Sequence, residues 1–168
     1  DVYKRQIRNK EKNVLLFDAG DIFQGTPYFN YFGGEIEFKL MSKLKYDAAT
    51  LGNHDFDNGL EGLKKQLPNA NFPFLNANYD FSDTILKDKF APYKIFERDY
   101  IKIGVFGVGI DLKNLVPKKL YGKTKYLDPI KISNKYAKKL KDLNCDLVVC
   151  LSHLGYKYNS DKVSDTVL

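Results

Sequence analysis

Apolar residues in this chain come in short runs that close in polar, glycine-bearing turns. The run from Asn13 to Phe17 leads into Asp18-Ala19-Gly20-Asp21 and reads as a buried strand ending in a turn. After Gly33-Gly34, the positions Ile36, Phe38, Leu40, Met41 and Leu44 follow the spacing of an amphipathic helix. A second strand is predicted from Asp47 to Leu51, ending at Gly52. Asn58-Gly59 then opens a helix through Leu60, Leu63 and Leu67, stopped by Pro68. Phe74 to Ala77 is a third strand. Tyr93 to Phe96 and Ile101 to Val108 read as a hairpin around the polar turn Glu97 to Tyr100. A helix from Pro129 to Leu143 has Asp128 as N-cap and Pro129 at its first position. A strand from Asp146 to Leu151 precedes Ser152-His153-Leu154-Gly155, and one more helix is expected from Asp161 onward. Strands alternating with helices around an inserted hairpin predict an α/β domain with a central sheet.

The 168 residues suit one domain, and 43% hydrophobic with 29% charged residues is a soluble globular composition. No apolar run approaches the ~20 residues needed to span a bilayer. The net charge of +6 is spread from Lys4 to Lys162, so it reads as a solvating lysine surface rather than a nucleic-acid footprint. Cys145 and Cys150 flank a predicted strand, about 16 Å apart at ~3.3 Å per residue, too far to bridge each other. They read as small core residues. Asp1 to Gln6 resemble a read-through tail, so residues 1–12 are taken as a non-native or linker start. Residues 13–168 are taken as the domain itself, which the family resemblance given below makes a partial catalytic domain.

Three predicted strands end in residues with chemistry. Asp21 follows the first, Asn53, His54 and Asp57 follow the second, and His153 follows the last. In open α/β sheets ligands bind beyond the carboxyl ends of strands. Each segment carries a glycine (Gly20, Gly52, Gly155) that permits a sharp turn. Both histidines of the chain fall in these turns. Carboxylate, amide oxygen and imidazole together suit divalent ions such as Mn²⁺, Zn²⁺ or Fe²⁺. Plainer roles exist for each residue alone: Asp21 and Asp57 as caps or Asx turns, Asn53 as a turn residue. Asp18 reads as a turn cap, and Asn76 and Asn78 as turn residues. Gln24 lies near the site. Tyr28, Phe29, Tyr31 and Phe32 read as packing rather than a base-stacking platform.

Leu16-Phe17-Asp18-Ala19-Gly20-Asp21, with Gln24-Gly25 after it, resembles the G-D motif of calcineurin-like metallophosphoesterases, nearest their 5'-nucleotidase branch. Leu51 to Gly59 (L-G-N-H-D-F-D-N-G) resembles that branch's G-N-H-[DE]-F-D-x-G motif, and Ser152-His153 its later ligand histidine. The resemblance implies a metallophosphoesterase-type sandwich of two sheets flanked by helices, incomplete here. It implies a centre of two divalent metal ions, of Mn, Zn, Fe or Mg type. On it, Asp21 bridges the metals, Asn53 and His153 ligate one of them, and Asn53 and His54 touch substrate phosphate. His54 acts as a cation held by Asp57, with Asp55 ranked second as its partner. The family's opening D-x-H and closing G-H-x-H motifs are absent, so a complete two-metal centre is not expected in this stretch alone. The implied activity is hydrolysis of phosphate monoesters, nucleoside 5'-monophosphates foremost. The alternatives are phosphodiester cleavage on the same centre or an inactive scaffold. The implied partners are a small phosphorylated substrate and a C-terminal nucleoside-recognition domain, in this or a separate chain. No nucleic acid is expected. The implied location is periplasmic, cell-surface or secreted.

Overall fold

In the computed structural model, residues 2–168 are described. The elements in chain order are α1 (Val2–Lys10), β1 (Phe17–Asp18), α2 (Pro27–Phe32), α3 (Glu35–Lys43), β2 (Ala48–Ala49), α4 (Gly59–Gln66), β3 (Tyr79–Asp80), β4 (Tyr93–Arg98), β5 (Ile101–Gly109), α5 (Lys118–Tyr121), β6 (Lys125–Tyr126), α6 (Pro129–Asp142) and β7 (Leu147–His153). The fold is α/β, as expected. β1 and β2 pair in parallel, and Phe74 extends that layer through a parallel bridge to Ala49. β4, β5 and β7 form a second sheet, antiparallel between β4 and β5 and parallel between β5 and β7. β3 pairs antiparallel with β6.

Two sheets and two helical faces stack into layers because each sheet is apolar on both sides. Ala48, Leu75, Phe96, Val105 and Leu151 fill the space between the sheets. Phe38, Phe72, Phe74 and Leu63 bury α3 and α4 against the first sheet. Leu140, with Ile132 and Tyr136, packs α6 on Phe106 and Val108 of the second. Gly107 lets the sheets meet closely. A Cβ there would lie 2.0 Å from the Leu75 carbonyl oxygen, and the Ala77 amide donates to the Gly107 carbonyl across the gap.

Several expectations need correction. The first two strands pair over only two residues each. Their neighbours keep the layer by single bonds instead, as when the Asp47 amide donates to Leu16 and the Thr50 amide to Asp18. Phe74 to Ala77 is extended but bridged only at Phe74 and Leu75, because its other amides bond residues of both layers. No helix follows Asp161. The amides of Asp165 and Thr166 reach back to the carbonyls of Gly155 and Tyr156, which replaces helical pairing with a closed loop. The opening segment, given no structure from its sequence, is the helix α1, with the Arg8 guanidinium on Asp47 at 2.9 Å. Of the α2 aromatics only Phe29 is core, packed on Phe23. Tyr28, Tyr31 and Phe32 are exposed. Asp128 caps α6 as expected, accepting from the Ile130 and Lys131 amides. Both cysteines are free and half-buried rather than fully in the core, and burial pushes the Cys150 thiol up to about 12.

Candidate active site

The loops after β1, β2 and β7 converge at one edge. His153, the last residue of β7, places its Nε2 3.1 Å from Asp21 Oδ2. Its Nδ1 lies 2.8 Å from the Ala19 carbonyl oxygen. A carbonyl and a carboxylate both only accept, so the two contacts are hydrogen bonds together only when both ring nitrogens carry protons. The His54 backbone amide donates to the other Asp21 oxygen, Oδ1, at 2.8 Å. The His54 ring meets Asp57 through Nδ1 and Oδ2, again at 2.8 Å. Asp21, His54, Asp57 and His153 thus stand together, and Asn53 sits between Gly52 and His54 at the start of a short 3-10 turn, His54–Phe56. Among the described residues, no hydrogen bond engages the Asn53 side chain.

Backbone geometry makes this approach possible. Asp21 has φ +60°, a left-handed conformation that aspartate tolerates better than most residues. Gly20 (φ +97°) and Gly52 lie against each other. A Cβ on Gly20 would come within 2.5 Å of the Gly52 nitrogen, and one on Gly52 within 2.2 Å of Asp21 Oδ1. Gly52→Ala is therefore expected to push Asp21 out of place and to destabilise the fold by about 1–3 kcal/mol. Chemical denaturation of the variant beside the unsubstituted protein measures this.

Asp57, ranked first, is the partner of His54, and Asp55, ranked second, has a role that sequence reasoning missed. The 3-10 turn rotates Asp55 inward beside Phe56, where it is fully buried and accepts four backbone amides. Gly52 and Asp21 donate to Oδ2 at 2.8 and 3.0 Å, and Ile22 and Phe23 to Oδ1 at 3.0 and 3.3 Å. One carboxylate so ties the loop of Asp21 to the loop of Asn53 and His54, and holds Asp21 in its strained conformation. Burial pushes the Asp55 carboxyl up to about 6, against the pull of the amides. The Ala19 carbonyl is the other contributor that was missed, since no side chain announces it. Asp18 caps its turn, its Oδ1 accepting from Gly20. Asn76 and Asn78 take turn and backbone roles, Asn78 pairing with both the amide and the carbonyl of Gly109.

The electrostatics follow from these contacts. Burial opposes charge on both Asp21 and His153. Their mutual hydrogen bond, the backbone contacts with His54 and Ala19 and the neighbouring charges together outweigh it, holding the carboxyl below and the imidazole above the usual ranges. Asp57 raises the pKa of the more exposed His54 through its hydrogen bond. The arrangement combines an imidazole nitrogen facing a two-oxygen carboxylate with a second, carboxylate-paired imidazole beside it. Among the described residues no three His, Cys, Asp or Glu side chains form a metal cluster. An open cleft of about 560 Å³ begins one residue beyond Asp57, bordered by Asn58, Gly59, Lys119 and Lys123.

A two-sheet fold with acid, amide and imidazole at its strand ends defines a class, and the chain belongs to it: the sequence profile of the calcineurin-like phosphoesterase family matches residues 2–168. Within that family its resemblance is to 5'-nucleotidases. It is 38% identical over 160 residues to the snake venom 5'-nucleotidase of Crotalus adamanteus, covering 90% of this chain and 26% of that protein. It is 37% identical over 163 residues to a 5'-nucleotidase of Vibrio cholerae, covering 96% and 29%. The solved structure of Haemophilus influenzae NAD nucleotidase superposes with a TM-score of 0.83 at 37% identity, over 91% of this chain and 27% of that one. The chain therefore spans less than a third of the length of these relatives.

Proposed function

We propose that this chain forms part of the catalytic face of a metal-dependent phosphomonoesterase that hydrolyses nucleoside 5'-monophosphates. The observation that carries the reading is the Asp21–His153 pair, with His54 and Asp57 beside it. The 5'-nucleotidase relatives support the substrate class. His153 Nε2 and the Asp21 carboxylate face each other at hydrogen-bond distance, a donor set that a divalent cation would bridge. With a cation in place of the Nε2 proton, the ring would keep its Nδ1–H on the Ala19 carbonyl, the support that metal-binding histidines receive. We assign Asp21, Asn53 and His153 as residues that would hold divalent metal. When bound, such ions activate water and neutralise phosphoryl charge.

The chain's own groups do the rest. Asn53, at the tip of the turn, would offer its amide oxygen to the cation and its N–H to a phosphoryl oxygen. Asp57 favours the protonated form of His54. With Nδ1 engaged there, its Nε2–H is the group aimed at the phosphoryl or leaving oxygen, stabilising charge that grows in the transition state. Nucleoside recognition belongs, in this reading, to a C-terminal domain. Export to the periplasm or cell surface is part of the same proposal. Among the described residues no helix is long and apolar enough to cross a membrane.

The test is release of phosphate from AMP by the intact protein with Mn²⁺, beside bis-p-nitrophenyl phosphate. Faster monoester hydrolysis that Asp21→Asn abolishes supports the reading, and diester preference or indifference to Asp21→Asn counts against it. A pH profile adds a second check. Asp57 raises the His54 pKa, so the active, protonated imidazole is lost as pH rises through that raised value. Asp57→Asn removes the cause and should move the alkaline limb of kcat/KM to lower pH, with the acid limb unchanged.

A further inference from the structure

The side chain before His153 is held as firmly as the histidine itself. Ser152 lies on the opposite face of β7, and its Oγ donates to Asp165 Oδ1 at 2.5 Å. The same Oγ accepts from the Leu154 amide at 3.3 Å. Asp165 belongs to a loop that leaves His153 and returns to it. Its own amide donates to the Gly155 carbonyl at 2.9 Å, and the Thr166 amide to Tyr156 at 3.2 Å. The Tyr158 hydroxyl closes the loop from inside by donating to the Leu154 carbonyl at 2.7 Å. Gly155, with φ +88°, has no room for a side chain, since a Cβ would fall 2.5 Å from the Tyr158 hydroxyl. Leu154 is fully buried in the core of the second sheet.

We propose that Asp165 is a positioning residue for the site: through Ser152 it fixes the end of β7, and so sets the ring of His153 between Ala19 and Asp21. Chain geometry carries this. His153 is the last paired residue of β7, opposite Gly109. Nothing beyond it belongs to the sheet, so its backbone is fixed on one side only by the ladder. The Ser152–Asp165 bond and the return loop supply the other side. The bond is exposed, so it contributes little to folding. What it determines is the direction in which the strand end points. The role in metal binding rests on the function proposed above, whereas the role in orienting the ring does not.

The experiment compares Asp165→Ala, Asp165→Asn and His153→Ala in the intact protein. The first readout is the Nδ1–H hydrogen bond of the His153 ring to the Ala19 carbonyl, taken by ¹H–¹⁵N NMR of the protonated ring without metal. Asp165→Ala should lose that hydrogen-bonded Nδ1–H signal, and Asp165→Asn should keep it, because its amide oxygen accepts the same Ser152 proton. The second readout is Mn²⁺ affinity by calorimetry, expected about 10-fold weaker for Asp165→Ala and close to unchanged for Asp165→Asn. An unaltered Nδ1–H signal of His153 in Asp165→Ala overturns the proposal, whatever happens to the melting temperature. So does unaltered Mn²⁺ affinity in that variant while His153→Ala loses affinity. Should His153→Ala bind Mn²⁺ as well as the unsubstituted protein, the metal role assigned to His153 is wrong, and the Nδ1–H signal alone decides the role of Asp165.

Discussion

Asp55→Ala is expected to bring the protein to the edge of unfolding. Four backbone amides, of Gly52, Asp21, Ile22 and Phe23, would lose their acceptor in a fully buried position. An unsatisfied buried donor costs about 1–3 kcal/mol. Even allowing for water entering the space, the loss should be about 4 kcal/mol or more, against a total stability of roughly 5–15 kcal/mol. Asp55→Asn fares little better, because its amide group would present N–H to N–H on one side. Asp57→Ala is the contrast. Asp57 touches His54 near the surface, so its removal should leave stability within about 1 kcal/mol of the unsubstituted protein. Urea denaturation of the three variants reads the difference directly. Equal stability of Asp55→Ala and Asp57→Ala would remove the claim that Asp55 fastens the two loops.

His54→Ala should behave in the opposite way, sparing the fold and removing the chemistry. The side chain is about half exposed and its one side-chain partner is Asp57. Its loss should lower kcat for AMP about 10²–10³-fold in the intact protein, the range for removing one group that stabilises transition-state charge. Mn²⁺ affinity should hold, since His54 reaches Asp21 only through its backbone amide, which alanine retains. A drop in metal affinity as large as the drop in rate would make His54 a ligand instead. Rates equal to those of the unsubstituted protein would remove it from the mechanism.

The sequence showed where chemistry-bearing residues gather but not what holds them there. Asp21, His54, Asp57 and His153 were legible because each follows an apolar run and stands near a glycine, a pattern that survives even when the paired strand is two residues long. The buried role of Asp55 went unread because identity and spacing place it beside His54, whereas the 3-10 turn sends adjacent side chains in different directions. The Ala19 carbonyl was illegible for a different reason: backbone acceptors leave no trace in residue type. Asp165 stands 12 residues beyond His153 and reaches Ser152 only because the loop returns, which no local pattern encodes. The larger elements were read well where periodicity was long, as in α6 with its Asp128 cap. They were read poorly at the chain's last residues, where polar side chains made a helix and a closed loop look alike.

Zn²⁺-soaked crystals of the intact protein test the central claim most directly, by the position of the anomalous peak. The account predicts a peak about 2.0–2.2 Å from His153 Nε2, an Asp21 carboxylate oxygen and the Asn53 amide oxygen together. A peak that leaves either Asn53 or His153 outside bonding distance, or no peak beside Asp21 at all, would contradict it.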